Sequence, residues 1–178
     1  MRKLRMDELG RKSVEAFRSS EKFPVKLLLD NIRSMHNVGS VFRTADAFLL
    51  DGIVLTGYTP RPPHRDIHKT ALGATETVAW TYFPDASEAL DSLRAEGYAI
   101  WAVEQTDSSL SLQRFSEMLQ PGKLALVFGN EVSGVGQEVL EKVQGSIEIP
   151  QFGSKHSLNV SVAAGIVAWE LIRKMIGT

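Results

Sequence analysis

The sequence contains no cysteine, which excludes disulfide frameworks and thiolate metal sites and leaves packing, with or without oligomerisation, as the source of stability. No apolar run approaches the roughly 20 residues that a membrane-spanning helix needs, so no membrane partner is expected. The opening MRKLRMDELGRK has neither the apolar segment nor the small-residue cleavage site of a secretory leader, and the expected location is cytoplasmic. Charge of one sign is also scarce. The net charge is −1, which argues against a protein that grips nucleic acid through overall charge. There is no internal repeat or low-complexity tract, and the glycine-rich stretches lack both the GK[ST] ending of a phosphate loop and the spacing of a dinucleotide fingerprint.

What is present is an ordinary core. Hydrophobic residues make up 43% and charged residues 23% of the 178, enough for one domain, read as residues 1–178. Charge is uneven along the chain. Residues 1–22 carry seven basic side chains (Arg2, Lys3, Arg5, Arg11, Lys12, Arg18, Lys22) against four acids (Asp7, Glu8, Glu15, Glu21), so this helical N-terminal extension is basic. It is either a solvated helix face or a patch that meets RNA backbone.

Continuous apolar runs alternate with helical patterns. Strands are expected at Val25–Leu29, Gly52–Gly57, Val78–Phe83, Tyr98–Val103, Lys123–Phe128 and Ser146–Ile149. Helices are expected from Val38 to about Leu49, over Pro84–Glu96, Gly136–Val143 and Leu158–Ile176. Tyr58–His68 reads as a long binding loop. This pattern implies an α/β fold: a mostly parallel sheet with helices on both faces. The last helix is apolar around much of its circumference, so one face can pack on the sheet while the other offers a two-fold dimer contact.

Three loops follow strands, where open parallel sheets place their ligands. In NIRSMHNVGSVFR, Asn37 can cap the helix starting at Val38, Gly39 permits close approach of a ligand or another backbone, and Arg43 is either a solvated charge or a fork for phosphate. In GNEVSGVG, three glycines surround Glu131, as in a backbone folded tightly around a ligand or in a plain turn. In IPQFGSKHSLN, Ser157 can cap the final helix, whose first-turn amides offer donors, and Asn159 falls inside that turn. His36 and His156 flank the first and third loops as acid–base groups or backbone partners. His64 and His68, spaced i, i+4, lack a third ligand nearby and read as a loop contact to RNA, not a metal pair.

Together NVGSVFRTADAF, LALVFGNEVSGV and IPQFGSKHSLNVSVAAGIVAWEL resemble the three motifs of the SpoU family of RNA ribose methyltransferases, in order and at fitting separations, from Lys26 onward. The resemblance implies a SPOUT fold with a C-terminal deep trefoil knot, S-adenosylmethionine as cofactor, and methyl transfer to a ribose 2′-hydroxyl of tRNA or rRNA. It implies catalytic roles for Asn37, Arg43, Glu131, Ser157 and Asn159, and cofactor contacts at Gly129, Ile149 and Leu158, with Glu104 as a further lining residue. It implies a homodimer in which the arginine of one subunit completes the site of the other. Only about 22 residues precede the first strand, where larger members carry an RNA-binding domain. Two other readings stand beside it: a knotted RNA-binding module without methyl transfer, and a flavodoxin-like nucleotide or flavin protein. Cofactor titration and a methyl-transfer assay separate the three.

Overall fold

The computed structural model describes residues 1–177. Seven parallel strands form one sheet in the order β3-β2-β1-β6-β4-β7-β5. They are β1 (Phe23–Asp30), β2 (Leu50–Thr56), β3 (Trp80–Phe83), β4 (Tyr98–Val103), β5 (Leu110–Ser111), β6 (Lys123–Phe128) and β7 (Ser146–Glu148). The central strands are apolar on both faces because both faces are covered. Leu27 and Leu29 of β1 enter one core while Leu28 enters the other, and β6 alternates likewise, with Leu124, Leu126 and Phe128 opposite Ala125 and Val127.

The larger core is roofed by α1 (Val14–Ser19), α2 (Met35–Ala47), α3 (Arg65–Ala71), α4 (Ala74–Thr77), α6 (Leu112–Met118) and α8 (Val160–Ile176). The smaller core is covered by α5 (Ala86–Ala95) and α7 (Gln137–Leu140). Sheet and helices on both faces are as the alternating pattern required. Three helices, α3, α4 and α6, and the short strand β5 were not expected. The segment read as a binding loop is loop only to His64, whose Nδ1 accepts from the Asp66 amide and caps α3. Residues 1–22 hold one 3-10 turn, Met6–Leu9, and the short α1, whose Phe17 is buried. Part of their basic charge is used internally: Arg2 pairs with Glu8, and Arg18 donates to the Glu76 carbonyl.

Two helix starts differ from the sequence reading. α2 begins at Met35 with Ser34 as its cap, the Ser34 hydroxyl accepting from the Asn37 amide at 3.3 Å. Asn37 therefore lies within the first turn and its side chain is free for other work. At α8 the cap is Asn159, which accepts from the Ser161 amide at 2.9 Å, and not Ser157. The amide at Asn159 thus has the local structural reason that a position inside the turn would have denied it. Gly39 serves the approach of another backbone: a Cβ there would run into the Ile67 carbonyl and the Thr70 hydroxyl of α3.

Candidate functional site

The loops after β6, β7 and β1 meet at the carboxyl edge of the sheet. The β6 loop turns back on itself, Asn130 and Gly134 exchanging backbone hydrogen bonds of 3.0 and 2.9 Å. Gly129 makes that possible, since a Cβ at this position would overlap the backbone of Gly134 and Val135. Asn130 pins the turn. Its side-chain carbonyl accepts from the Val132 and Ser133 amides at 2.9 and 3.1 Å, and its side-chain amide donates to the Asn31 carbonyl at 2.8 Å and the Tyr58 hydroxyl at 2.9 Å. Nothing local in the sequence marks Asn130 for this role, because its partners lie far back in the chain.

Glu131 is held against the start of α2. Its carboxylate accepts from the amides of Arg33 (2.9 Å) and Ser34 (3.0 Å) and from the side-chain amide of Asn37 (2.9 Å). Asn37 in turn accepts from the side-chain amide of Asn159 at 3.1 Å. One hydrogen-bonded chain, Asn159 to Asn37 to Glu131, therefore ties together all three loops. Burial pushes the Glu131 carboxyl up, but the three donors outweigh it and hold it below the usual carboxylate range. The folded state then binds this proton more weakly than the unfolded chain. The resulting stability is present above the ordinary value of about 4.3 and is lost as pH falls through the lower folded value. Glu131→Gln should lower the melting temperature near neutral pH, and the gap to wild type should shrink in acid. A gap that does not change with pH would contradict this.

Behind the chain lies a cavity of ≈ 660 Å³, within the range of small-ligand sites. Of the nine residues singled out from sequence, seven line it: Glu104, Gly129, Glu131, Ile149, Ser157, Leu158 and Asn159. Asn37 reaches its rim through Glu131 and Asn159. Glu104 accepts from the amides of Gln105 and Val135, both at 2.9 Å, and so also braces the β6 loop. Ser157 is exposed and makes no hydrogen bond to other described residues through its hydroxyl. His156 lines the cavity, whereas His36 lies on exposed α2 surface.

Arg43 is elsewhere. It is exposed, lies six residues beyond Asn37 along α2, and lines a separate concavity of ≈ 540 Å³ with Phe48, Thr70 and Gly165. Among the described residues none pairs with it. Beside it α8 turns Val162, Ile166 and Trp169 to solvent, and Trp169 leans on Phe48 with ring centroids 5.9 Å apart.

The fold is that of the SPOUT methyltransferase class, with a cavity at the carboxyl edge of its parallel sheet. The chain belongs to the SpoU rRNA Methylase family, whose model matches residues 24–169. It is 36% identical over 151 residues to YacO of Bacillus subtilis, a protein of the TrmH family of tRNA/rRNA methyltransferases, covering 85% of this chain and 59% of that one. The chain thus spans about three-fifths of the length of such relatives. The AdoMet-bound rRNA methyltransferase of Sinorhizobium meliloti superposes with a TM-score of 0.78 at 25% identity, over 88% of this chain and 59% of that one. A protein solved for the 2-OH methylation of C/U34 on tRNA superposes with a TM-score of 0.76 at 25% identity, over 88% of this chain and 100% of that one. No helix of the described residues is long and apolar enough to cross a membrane, and among them no cluster of three or more His, Asp or Glu could hold a metal.

Proposed function

We propose that this chain is a single methyltransferase domain, cytoplasmic and homodimeric, that transfers a methyl group from S-adenosylmethionine to a ribose 2′-hydroxyl of tRNA or rRNA. The observation that carries this is the chain Asn159–Asn37–Glu131 closing three loops around one cavity. The trefoil threading of the C-terminal segment belongs to the same reading. Relatives solved with AdoMet and in connection with 2-OH methylation support it.

The lining suits the cofactor. Val103 and Ile149, backed by the buried Phe128 and Ile147, offer an apolar wall for an adenine, while Glu104 and Glu148 offer acceptors for ribose hydroxyls or an ammonium. When bound there, the cofactor supplies the electrophilic methyl. The protein's work is to orient the attacking oxygen and ease its deprotonation. Glu131, with its carboxylate engaged by two backbone amides and Asn37, positions α2 and is a poor proton acceptor. A guanidinium is likewise a poor base. Arg43 instead grips the phosphate next to the target ribose and lowers the hydroxyl's pKa, while Asn37, Ser157 and Asn159 orient the ribose. Since Arg43 does not line the cavity of its own chain, a second copy docked on the apolar face of α8 delivers it.

The test is ribose-methylation mapping of total RNA from cells with and without the protein. Loss of a 2′-O-methyl mark is the expected result. An unchanged map with intact cofactor binding would favour a binding module without methyl transfer.

A further inference from the structure

The loop after β2 and the helix it leads into build a feature that the catalytic reading leaves unused. Two adjoining concavities, ≈ 640 and ≈ 750 Å³, share Pro62, His64 and Trp80. Trp80 and Tyr82 stand two apart on edge strand β3 and hence on one face of it. Both are half-buried. The Arg61 guanidinium lies over the Tyr82 ring, 4.0 Å from its centroid. Tyr58 is exposed at the far end of the same surface, and its hydroxyl accepts from Asn130.

Charge here is positive and available. Arg61 and Arg65 are exposed, and no carboxylate among the described residues pairs with either. His64 and His68 add imidazoles, and Lys69 is balanced by Asp66 at 2.6 Å. Glu76 is a further carboxylate on the rim, and Arg18 donates to its backbone carbonyl, not to the carboxylate. The whole chain is near neutral, whereas this surface carries Arg61, Arg65 and Lys69 against Asp66 and Glu76, a local excess of positive charge.

We infer that this surface is a shelf for single-stranded RNA: phosphates sit on Arg61 and Arg65, and an unstacked base lies on Trp80 and on the outer face of the Arg61 guanidinium that covers Tyr82. Two features favour RNA over an acidic protein. Planar rings and a guanidinium stacked on a ring present faces on which any base can stack. The shelf also reaches a site at each end, this chain's own cavity at one and, in the proposed dimer, the partner's at the other. Lys69 lines the Arg43 concavity as well as the shelf, and Tyr58 is bonded to Asn130, the neighbour of Glu131. A strand lying on the shelf therefore runs on toward the proposed target ribose. This rests on the reading of the protein as an RNA enzyme and adds where the flanking nucleotides go.

The test uses the full chain, saturated with S-adenosylmethionine, and a short single-stranded RNA of mixed sequence as probe. Charge reversal at two exposed positions, R61E with R65E, should weaken probe binding by about tenfold or more, and the slope of log affinity against log salt should fall by about 1.4 for two lost phosphate contacts. Trp80→Phe should diminish the tryptophan quenching that the probe causes. Affinity for S-adenosylmethionine should stay at the wild-type value in all variants, which reports an intact fold. Unchanged probe affinity and salt slope in the double variant would overturn the shelf, as would a duplex of the same strand binding as tightly as the single strand. The two readings fail differently. Wild type that binds the probe through the shelf but transfers no methyl would leave the shelf standing and sink the enzyme, whereas methyl transfer unaffected by the double variant would do the reverse.

Discussion

Arg43→Ala is expected to lower methyl transfer to RNA by about 10³-fold, the scale of losing a preorganised charge that acts in the transition state, while affinity for S-adenosylmethionine stays nearly unchanged. The separation follows from position. Six residues of helix place Arg43 about 9 Å along α2 from Asn37, and it lines its own concavity, not the one closed by the three loops. Its guanidinium holds nothing inside the described chain together, so its removal should leave the melting temperature close to wild type. Turnover with labelled cofactor and calorimetric titration of the cofactor read the two halves of this prediction. Strong residual turnover would remove Arg43 from the mechanism.

Gly129→Ala should have the opposite signature, with cofactor binding lost first. The added Cβ falls on the backbone of Gly134 and Val135, and the turn has little room to yield. It is closed by the paired Asn130–Gly134 hydrogen bonds, pinned by the Asn130 side chain and braced by Glu104 on the Val135 amide. Overlap with backbone in so constrained a segment costs about 1–3 kcal/mol. The variant should lose measurable affinity for S-adenosylmethionine and melt several degrees lower. Gly153, where a Cβ meets nothing within 4 Å, supplies the control substitution. Full cofactor affinity in Gly129→Ala would mean that the β6 loop does not form the cofactor's seat.

The elements that carry the core were legible in the sequence. LLL of β1 and KLALVF of β6 are apolar without alternation because each strand faces two cores, and the helical stripe Val38, Val41, Phe42, Ala45 is fully buried. The short helices were not. α3 contributes Ile67 and Ala71 to the core and α4 only Ala74, too few apolar positions to set a period, and Pro62-Pro63 just upstream reads as loop.

Helix starts were misplaced for a related reason. Each motif loop offers several residues able to cap, Ser34 or Asn37 in one and Ser157 or Asn159 in the other, and local chemistry does not rank them. The choice is made by tertiary contacts: Asn37 is drawn to Glu131 and Asn159, so Ser34 caps α2 instead. Asn130 escaped notice because its partners, Asn31 and Tyr58, are distant in sequence. The loop cavity was anticipated because its lining residues sit in recognisable motifs. What Arg43 meets was not legible from the residues themselves, and only the family resemblance pointed to a second copy of the chain.

A mixed-subunit experiment tests that shared site most directly. Arg43→Ala keeps the cofactor cavity and Gly129→Ala keeps the guanidinium, so each variant alone should be inactive. Subunits of the two, dissociated and paired at random, should recover roughly a quarter of wild-type turnover, since half the dimers are mixed and each of these has one intact composite site. Recovery at that level is the predicted result. A mixture as inactive as its components, with mixed dimers shown to form, would contradict a site built from two copies of this chain.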